Sequence, residues 1–214
     1  VIPVPSASVI VLRDAQPGFE VLMIRRHESA SFVPNAWVFP GGVVEQLDRE
    51  IARERGDGSR LGRMRVAGAR ELFEETGIWL GAPLESSDAK RRRLLAGSLG
   101  FRQLLDESPV DFEQLVWTSH WITPVGVPKR FDTYFFVTKV GSDAVATVEH
   151  VEAVESVWIT PDGAIDSLQM VFPTIKNLEA LRGFESADAL IASRRGADIQ
   201  PVEPVLIGGK PELR

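Results

Sequence analysis

The sequence predicts an α/β protein, a mixed β-sheet covered on both faces in an α/β/α sandwich, on three grounds. Stretches rich in β-branched and aromatic residues are interspersed with stretches of helical apolar spacing. The first two strand-like stretches are joined by turn chemistry and must run antiparallel. The later strands and helices lack the strict alternation of a wholly parallel fold. With 214 residues, 44% hydrophobic and 25% charged, the chain can bury one core, and a single domain over residues 1–214 is expected.

The elements follow in order. Residues 6–13 and 20–25 are apolar and β-branched, and Asp14, Pro17 and Gly18 between them suit a hairpin turn. Residues 36–39 read as a short strand that stops at Pro40, Gly41 and Gly42, where the backbone can turn without side-chain obstruction. From 63 to 75 the residues Met64, Val66, Ala67, Leu72 and Phe73 keep helical spacing, and Gly77 can supply the positive φ that ends a helix. A second helical stretch over 88–106 has Leu94, Leu95, Leu99, Leu104 and Leu105 on its apolar side, with Gly97 and Gly100 as breakpoints. It makes up most of an inserted helical segment over about 85–115. Strands are expected at 116–123, 130–140 and 155–160, and helices at 162–168 and 174–182. The Pro- and Gly-rich tail, about 196–214, is expected to lie extended over the domain.

Charge and composition exclude several classes. Lys and Arg number 24 against 30 Asp and Glu, a net charge of -6, so no global field attracts duplex nucleic acid. With no cysteine, disulfides, Cys-ligated zinc and thiol nucleophiles are excluded together. No apolar run approaches the length of a membrane helix, and no charged segment followed by an apolar core opens the chain, so a soluble cytoplasmic protein is expected. The start at Val1 rather than Met implies further residues upstream, and a homodimer is compatible with everything above.

The chemistry concentrates in Arg70, Glu71, Glu74, Glu75 and Gly77. On a helix Glu71 lies three residues from Glu74 and four from Glu75, so these carboxylates share one edge. The like-charged pair Glu71 and Glu75 costs roughly 0.2–0.5 kcal/mol in an isolated helix, and a hard divalent cation, Mg²⁺ or Mn²⁺, is the natural agent to offset it. Arg70 can pair with one carboxylate or reach a phosphate oxygen. An acidic run is commonly just a solvated face. A chance match to these five residue types at fixed spacing, however, has odds of about one in a million per starting position.

Gly42 followed by Arg70-Glu71-Leu72-x-Glu74-Glu75-x-Gly77-Ile78 resembles the box of the Nudix family, G-x5-E-x7-R-E-U-x-E-E-x-G-U with U aliphatic. The resemblance implies a Nudix-like sandwich and metal-dependent hydrolysis of a nucleoside diphosphate linked to another moiety. Glu71, Glu74 and Glu75 would be metal ligands, and Arg70 an orienting residue. The spacing departs from the family: 27 residues, not thirteen, separate Gly42 from Arg70, an excess of 14. Asp48 falls at the first acidic position, with Glu45 and Glu50 as rivals, and residues 49–62 are expected to loop out as an exposed insertion.

Such an interrupted box resembles a subgroup that includes acyl-CoA diphosphatases, as do Trp121-Ile-Thr-Pro124 and residues 128–136. The subgroup's motif ahead of the glycine pair, L-L-T-x-R-[SA]-x3-R-x3-G-x3-F-P-G-G, is met at Arg26 and at Phe39 to Gly42, while His27, Ser31 and Asn35 depart from it. The implied reaction splits CoA or acyl-CoA into 3',5'-ADP and (acyl-)phosphopantetheine, and the alternative is a non-catalytic nucleotide-binding or regulatory module on the same fold. Arg26, Gly41, Gly42 and Arg130 are the expected substrate-binding residues, with Lys129 beside them. Lys90 to Arg93 is a basic cluster that could receive the CoA 3'-phosphate. For the general base Glu149, His150, Glu152 and Glu155 compete, and Glu152 joins Glu71, Glu74 and Arg70 in the expected catalytic set.

Overall fold

The structure, a computed structural model, describes residues 1–29, 33–148 and 153–213. The central strand β1 (Val4–Asp14) is buried on both faces along its middle. Its side chains alternate as a strand requires: Ala7, Val9 and Val11 join one core cluster, Ile10 and Leu12 the other. The sheet therefore has to be covered twice.

Around β1 stand β2 (Phe19–Arg26), β3 (Trp37–Val38), β4 (Gly41–Val43), β5 (Val116–Ile122), β6 (Phe131–Val140), β7 (Ala153–Ile159) and β8 (Pro201–Val202). Among the described residues these form one mixed sheet in the order β3-β2-β1-β6-β5-β8, with β4 paired to β1 and β7 to β2. The β1–β6 pair is parallel, from Val4↔Phe131 to Arg13↔Val140, and β1–β2 and β5–β6 are antiparallel. At its far end β1 takes β4 as an antiparallel partner through Ser6↔Val43, Ala7↔Gly42 and Ser8↔Gly41. That pairing brings the glycine turn to the sheet's centre.

One face is covered by α1 (Gln46–Glu54), α2 (Arg60–Thr76), α3 (Ser87–Leu95) and α4 (Phe101–Glu107), which bury Ile51, Met64, Leu72, Phe73, Phe101 and Leu104. The other is covered by α5 (Pro161–Ser167), α6 (Phe172–Glu179) and α7 (Ala187–Arg194), which bury Ala164, Leu178, Ala187 and Leu190. The sandwich expected from sequence is the one observed. A small antiparallel hairpin of β9 (Val205–Ile207) and β10 (Lys210–Glu212) follows β8. No helix among the described residues is long and apolar enough to cross a membrane.

One expectation needs correction. Residues 49–62 are not a looped-out insertion. Their first half continues α1, whose Ile51 and Ala52 are buried against α2, and the chain returns through Gly56 at φ +89 to α2, capped by the Ser59 hydroxyl accepting from Gly62 N at 3.1 Å. Charge hid an amphipathic turn in which Leu47, Ile51 and Ala52 face inward. The stretch 88–106 is two helices, broken between Gly97 and Gly100 as those glycines suggest.

Candidate active site

The long helix α2 ends at Gly77, in the left-handed conformation at φ +72 with its N–H bonded to Phe73 O at 2.9 Å. Its last turns carry Arg70, Glu71, Glu74 and Glu75, all of which line one cavity of about 970 Å³. Gly41, Gly42, Glu45, Arg26 and Lys129 line the same cavity, as do apolar side chains that include Phe39, Trp121, Phe135 and Phe172. That volume is at the upper end of what small-molecule sites offer. A second cavity, about 710 Å³ near α1 and α4, contains none of the box carboxylates, and its Glu54, Asp106 and Glu113 are engaged by Arg102, Arg55 and Arg65.

Arg70 organises the carboxylates. Its Nε donates to Asp48 Oδ1 and its Nη2 to Asp48 Oδ2, each at 2.9 Å, and Nη2 also donates to Val43 O at 3.0 Å. Nη1 donates to Glu71 Oε1 at 3.0 Å and to Glu74 Oε2 at 2.9 Å. Asp48 is fully buried, and its Oδ2 also accepts from Glu45 N at 2.8 Å. Of the three candidates for the first acidic position, Asp48 is therefore the one that grips Arg70. Burial by itself would lower the Arg70 pKa, but the Asp48 hydrogen bonds and the charges of Glu71, Asp48 and Glu74 outweigh it, and the net direction is upward. Glu74 shifts upward too: burial opposes its charge most, Arg70 counteracts, and the Glu45 and Asp48 carboxylates add to the rise.

The glycine pair sits against this edge. Gly41 N donates to Glu75 Oε2 at 2.8 Å. A Cβ on Gly42 would stand 2.3 Å from Glu71 Oε1, and one on Gly41 2.3 Å from Ala7 O. A side chain at either position would meet an obstacle of a different kind: the movable end of a carboxylate at 42, a neighbouring strand's backbone at 41.

The other expected residues divide. Arg26 lines the cavity, and its Nε is buried without a hydrogen-bond partner. Arg130 is engaged within the protein: its Nε donates to Thr123 O at 2.9 Å, its Nη1 to Val1 O at 3.1 Å, and its Nη2 to Glu203 Oε1 at 2.5 Å. It clamps the chain's two ends, and Lys129, not Arg130, reaches the cavity. The basic cluster is dispersed: Lys90 pairs with Glu107, while Arg91 is buried with Nε donating to Glu74 O at 2.9 Å and Nη1 to Thr147 O at 2.8 Å. Glu155 pairs with Arg25 at 3.0 Å on β7. Glu149, His150 and Glu152 lie outside the described residues, as does Ser31. Asn35 stands at φ +61, a conformation that Asn, unlike most residues other than Gly, tolerates, so it can serve where the subgroup's motif has Gly.

Of the basic cluster Lys90 to Arg93, Arg91 lines the cavity, and sequence reasoning missed Phe172, Leu206, Gly209 and Pro211 as cavity residues. For the hairpin a signal existed, since Gly208-Gly209 between Val205 to Ile207 and Lys210 to Glu212 is a two-residue turn signature.

Comparison with known proteins agrees with this geometry. A model of the NUDIX domain matches residues 3–179. A Caenorhabditis elegans protein provisionally named nudix hydrolase 7 is 31% identical over 153 residues, 68% of this chain and 48% of that protein. The Xenopus laevis acyl-coenzyme A diphosphatase NUDT19 is 27% identical over 210 residues, 69% of this chain and 54% of that protein. The chain spans about half the length of these curated relatives. The crystal structure of a NUDIX hydrolase from Alicyclobacillus acidocaldarius superposes with a TM-score of 0.80 at 24% identity, over 90% of this chain and 96% of that one, which shows a common fold.

Proposed function

This chain belongs to the NUDIX family, and from that premise we propose that it hydrolyses the diphosphate linkage of a nucleotide conjugate, with Mg²⁺ or Mn²⁺ as cofactor and CoA or acyl-CoA as the favoured substrate class. The observation that carries the reading is the carboxylate edge of α2, with Glu71, Glu74 and Glu75 facing one cavity and Arg70 tethering two of them. The interrupted box and the acyl-CoA diphosphatase among the relatives support the choice of substrate.

Donor chemistry and space both suit a divalent cation at this edge. The donors are hard carboxylate oxygens, glycine at 42 admits the Glu71 carboxylate where a Cβ would otherwise stand, and the cavity of about 970 Å³ beside this edge leaves room for an ion. Among the described residues no three acidic, His or Cys side chains are already gathered as a coordination shell, because the Arg70 guanidinium stands between Glu71 and Glu74. Rotation of these side chains toward the cavity would turn their oxygens to the ion. When bound, the cation supplies charge neutralisation of the diphosphate and a lowered pKa for a water.

The chain's own residues would then act as follows. Arg70 keeps the carboxylates in register, the Gly41–Gly42 backbone lets the diphosphate approach, and Arg26 contacts its oxygens. Glu152, whose neighbour Ala153 lines the cavity, would accept the proton of the attacking water. The new P–O bond forms as the bridging P–O bond breaks, and two phosphomonoesters leave. From CoA they are 3',5'-ADP and phosphopantetheine.

The test is incubation with CoA, ADP-ribose, NADH and a dinucleoside polyphosphate, with and without Mg²⁺ or Mn²⁺, following release of nucleoside monophosphate or 3',5'-ADP. No metal-dependent release from any of them would leave a non-catalytic binding module as the better reading.

The glycines give a paired prediction. Gly42→Ala meets only the movable end of Glu71, so stability should change by less than about 1 kcal/mol while turnover falls at least about 10-fold. Gly41→Ala meets the backbone of β1 and should destabilise by about 1–3 kcal/mol. Urea titrations and metal-dependent rates on both variants check the contrast, and equal loss of stability in the two would refute it.

A further inference from the structure

The match to the NUDIX domain ends at residue 179, yet residues 204–211 contribute four members to the wall of the cavity that holds the box carboxylates: Pro204, Leu206, Gly209 and Pro211. The β9–β10 hairpin is an odd structure if stability is its purpose. Among the described residues it pairs with no other strand, and none of its side chains joins either core cluster. Leu206 and Ile207 remain 38% and 54% exposed. An isolated two-stranded hairpin is marginal in water.

Its register gives it two faces. Leu206 pairs with Pro211, and both line the cavity, whereas Ile207 pairs with Lys210 and neither does. Gly208 and Gly209, at φ +58 and +80, make the tight turn between them. Anchors hold the hairpin in place: β8 pairs beside Trp121, Glu203 binds Arg130, and Leu206 Cδ1 lies 3.5 Å from where a Cβ on Gly126 would be. Trp121 and Phe172, edge to face with ring centroids 6.1 Å apart, line the same cavity. Aromatic rings and the hairpin's hydrocarbon side chains thus share one cavity with the carboxylate edge.

We infer that Leu206 and Pro211, on the inward face of the hairpin, bind the apolar arm of the diphosphate conjugate and set the site's preference for conjugates that carry one. The inference rests on the diphosphatase reading of the carboxylate edge and adds to it a selectivity element outside the family's matched region. The occupant is a flexible, uncharged, largely hydrocarbon group joined to the diphosphate. Its binding covers Leu206, which the unliganded fold leaves open.

The experiment compares the wild-type chain with Leu206→Ser, Ile207→Ser and a truncation after Pro204 that keeps β8 and Glu203. The readouts are the ratio of kcat/KM for octanoyl-CoA to that for ADP-ribose, and the Kd of each compound by calorimetry in EDTA, where no turnover occurs. Leu206→Ser and the truncation should lower the ratio at least about 10-fold, through KM, and weaken octanoyl-CoA binding by a similar factor relative to ADP-ribose. Ile207→Ser, on the outward face, should leave both measures at the wild-type value. Equal effects of the two serine variants, or an unchanged ratio in the truncation, would overturn the inference. If the wild-type chain hydrolyses neither these compounds nor any other substrate of the assay above, the diphosphatase reading fails, while the EDTA affinities still decide this one.

Discussion

Arg70→Met should cost about 3–5 kcal/mol of folding stability, seen as a fall of more than about 1 M in the urea midpoint. Arg70 is the double partner of Asp48, which is fully buried, so the substitution strands a carboxylate out of reach of water. Among the described residues only the Glu45 N–H bond to Asp48 would remain. The same change removes the donor shared by Glu71 and Glu74. Most of the loss lies in the orphaned charge, so Arg70→Met combined with Asp48→Leu, which removes that charge, should regain much of it. A single variant that loses less than about 1 kcal/mol would mean that Asp48 finds water or takes up a proton without penalty.

Glu74→Gln should lower metal-dependent turnover at least about 100-fold while the protein stays folded, because it keeps the side chain's shape and removes a charged ligand. Burial, with the Glu45 and Asp48 charges, raises the Glu74 pKa, so the folded state holds this proton more tightly than the unfolded chain does. Without metal, Glu74 therefore makes stability fall as pH rises from the ordinary carboxylate value through its raised folded value. Gln removes that penalty and also weakens the bond to Arg70, so the two changes partly cancel and the net shift in EDTA should stay within about 1 kcal/mol. Wild-type rates in the variant would take Glu74 out of the metal site.

The carboxylate edge was legible in the sequence because its logic is local. Glu71, Glu74 and Glu75 share a helix, and helical spacing fixes their common edge whatever surrounds them. The two faces of β1 were legible for the same reason, through alternation. What sequence could not give was set by contacts between distant segments. The engagement of Arg130 was hidden because two of its partners, Val1 O and Glu203, lie far from it in sequence. Arg91 looked like part of an exposed basic cluster because the carbonyls of Glu74 and Thr147 are brought to it only by folding. Helix α7 went unread because its buried residues, Ala187 and Leu190, are too few to establish a period. Charge density hid α1, although Leu47, Ile51 and Ala52 keep the spacing of a packed turn.

The route the chain takes between Asp48 and Arg70 bears on how such motifs are sought. The acid and the base meet across the packed pair α1 and α2, and the turn joining those helices reaches open solvent at Gly56, where an added Cβ would touch nothing. Selection can lengthen or shorten that turn at little energetic penalty while the latch between the two side chains stays shut. A search that counts residues from glycine to arginine would pass over chains of this kind, whereas one that asks whether a carboxylate can reach the guanidinium would find them.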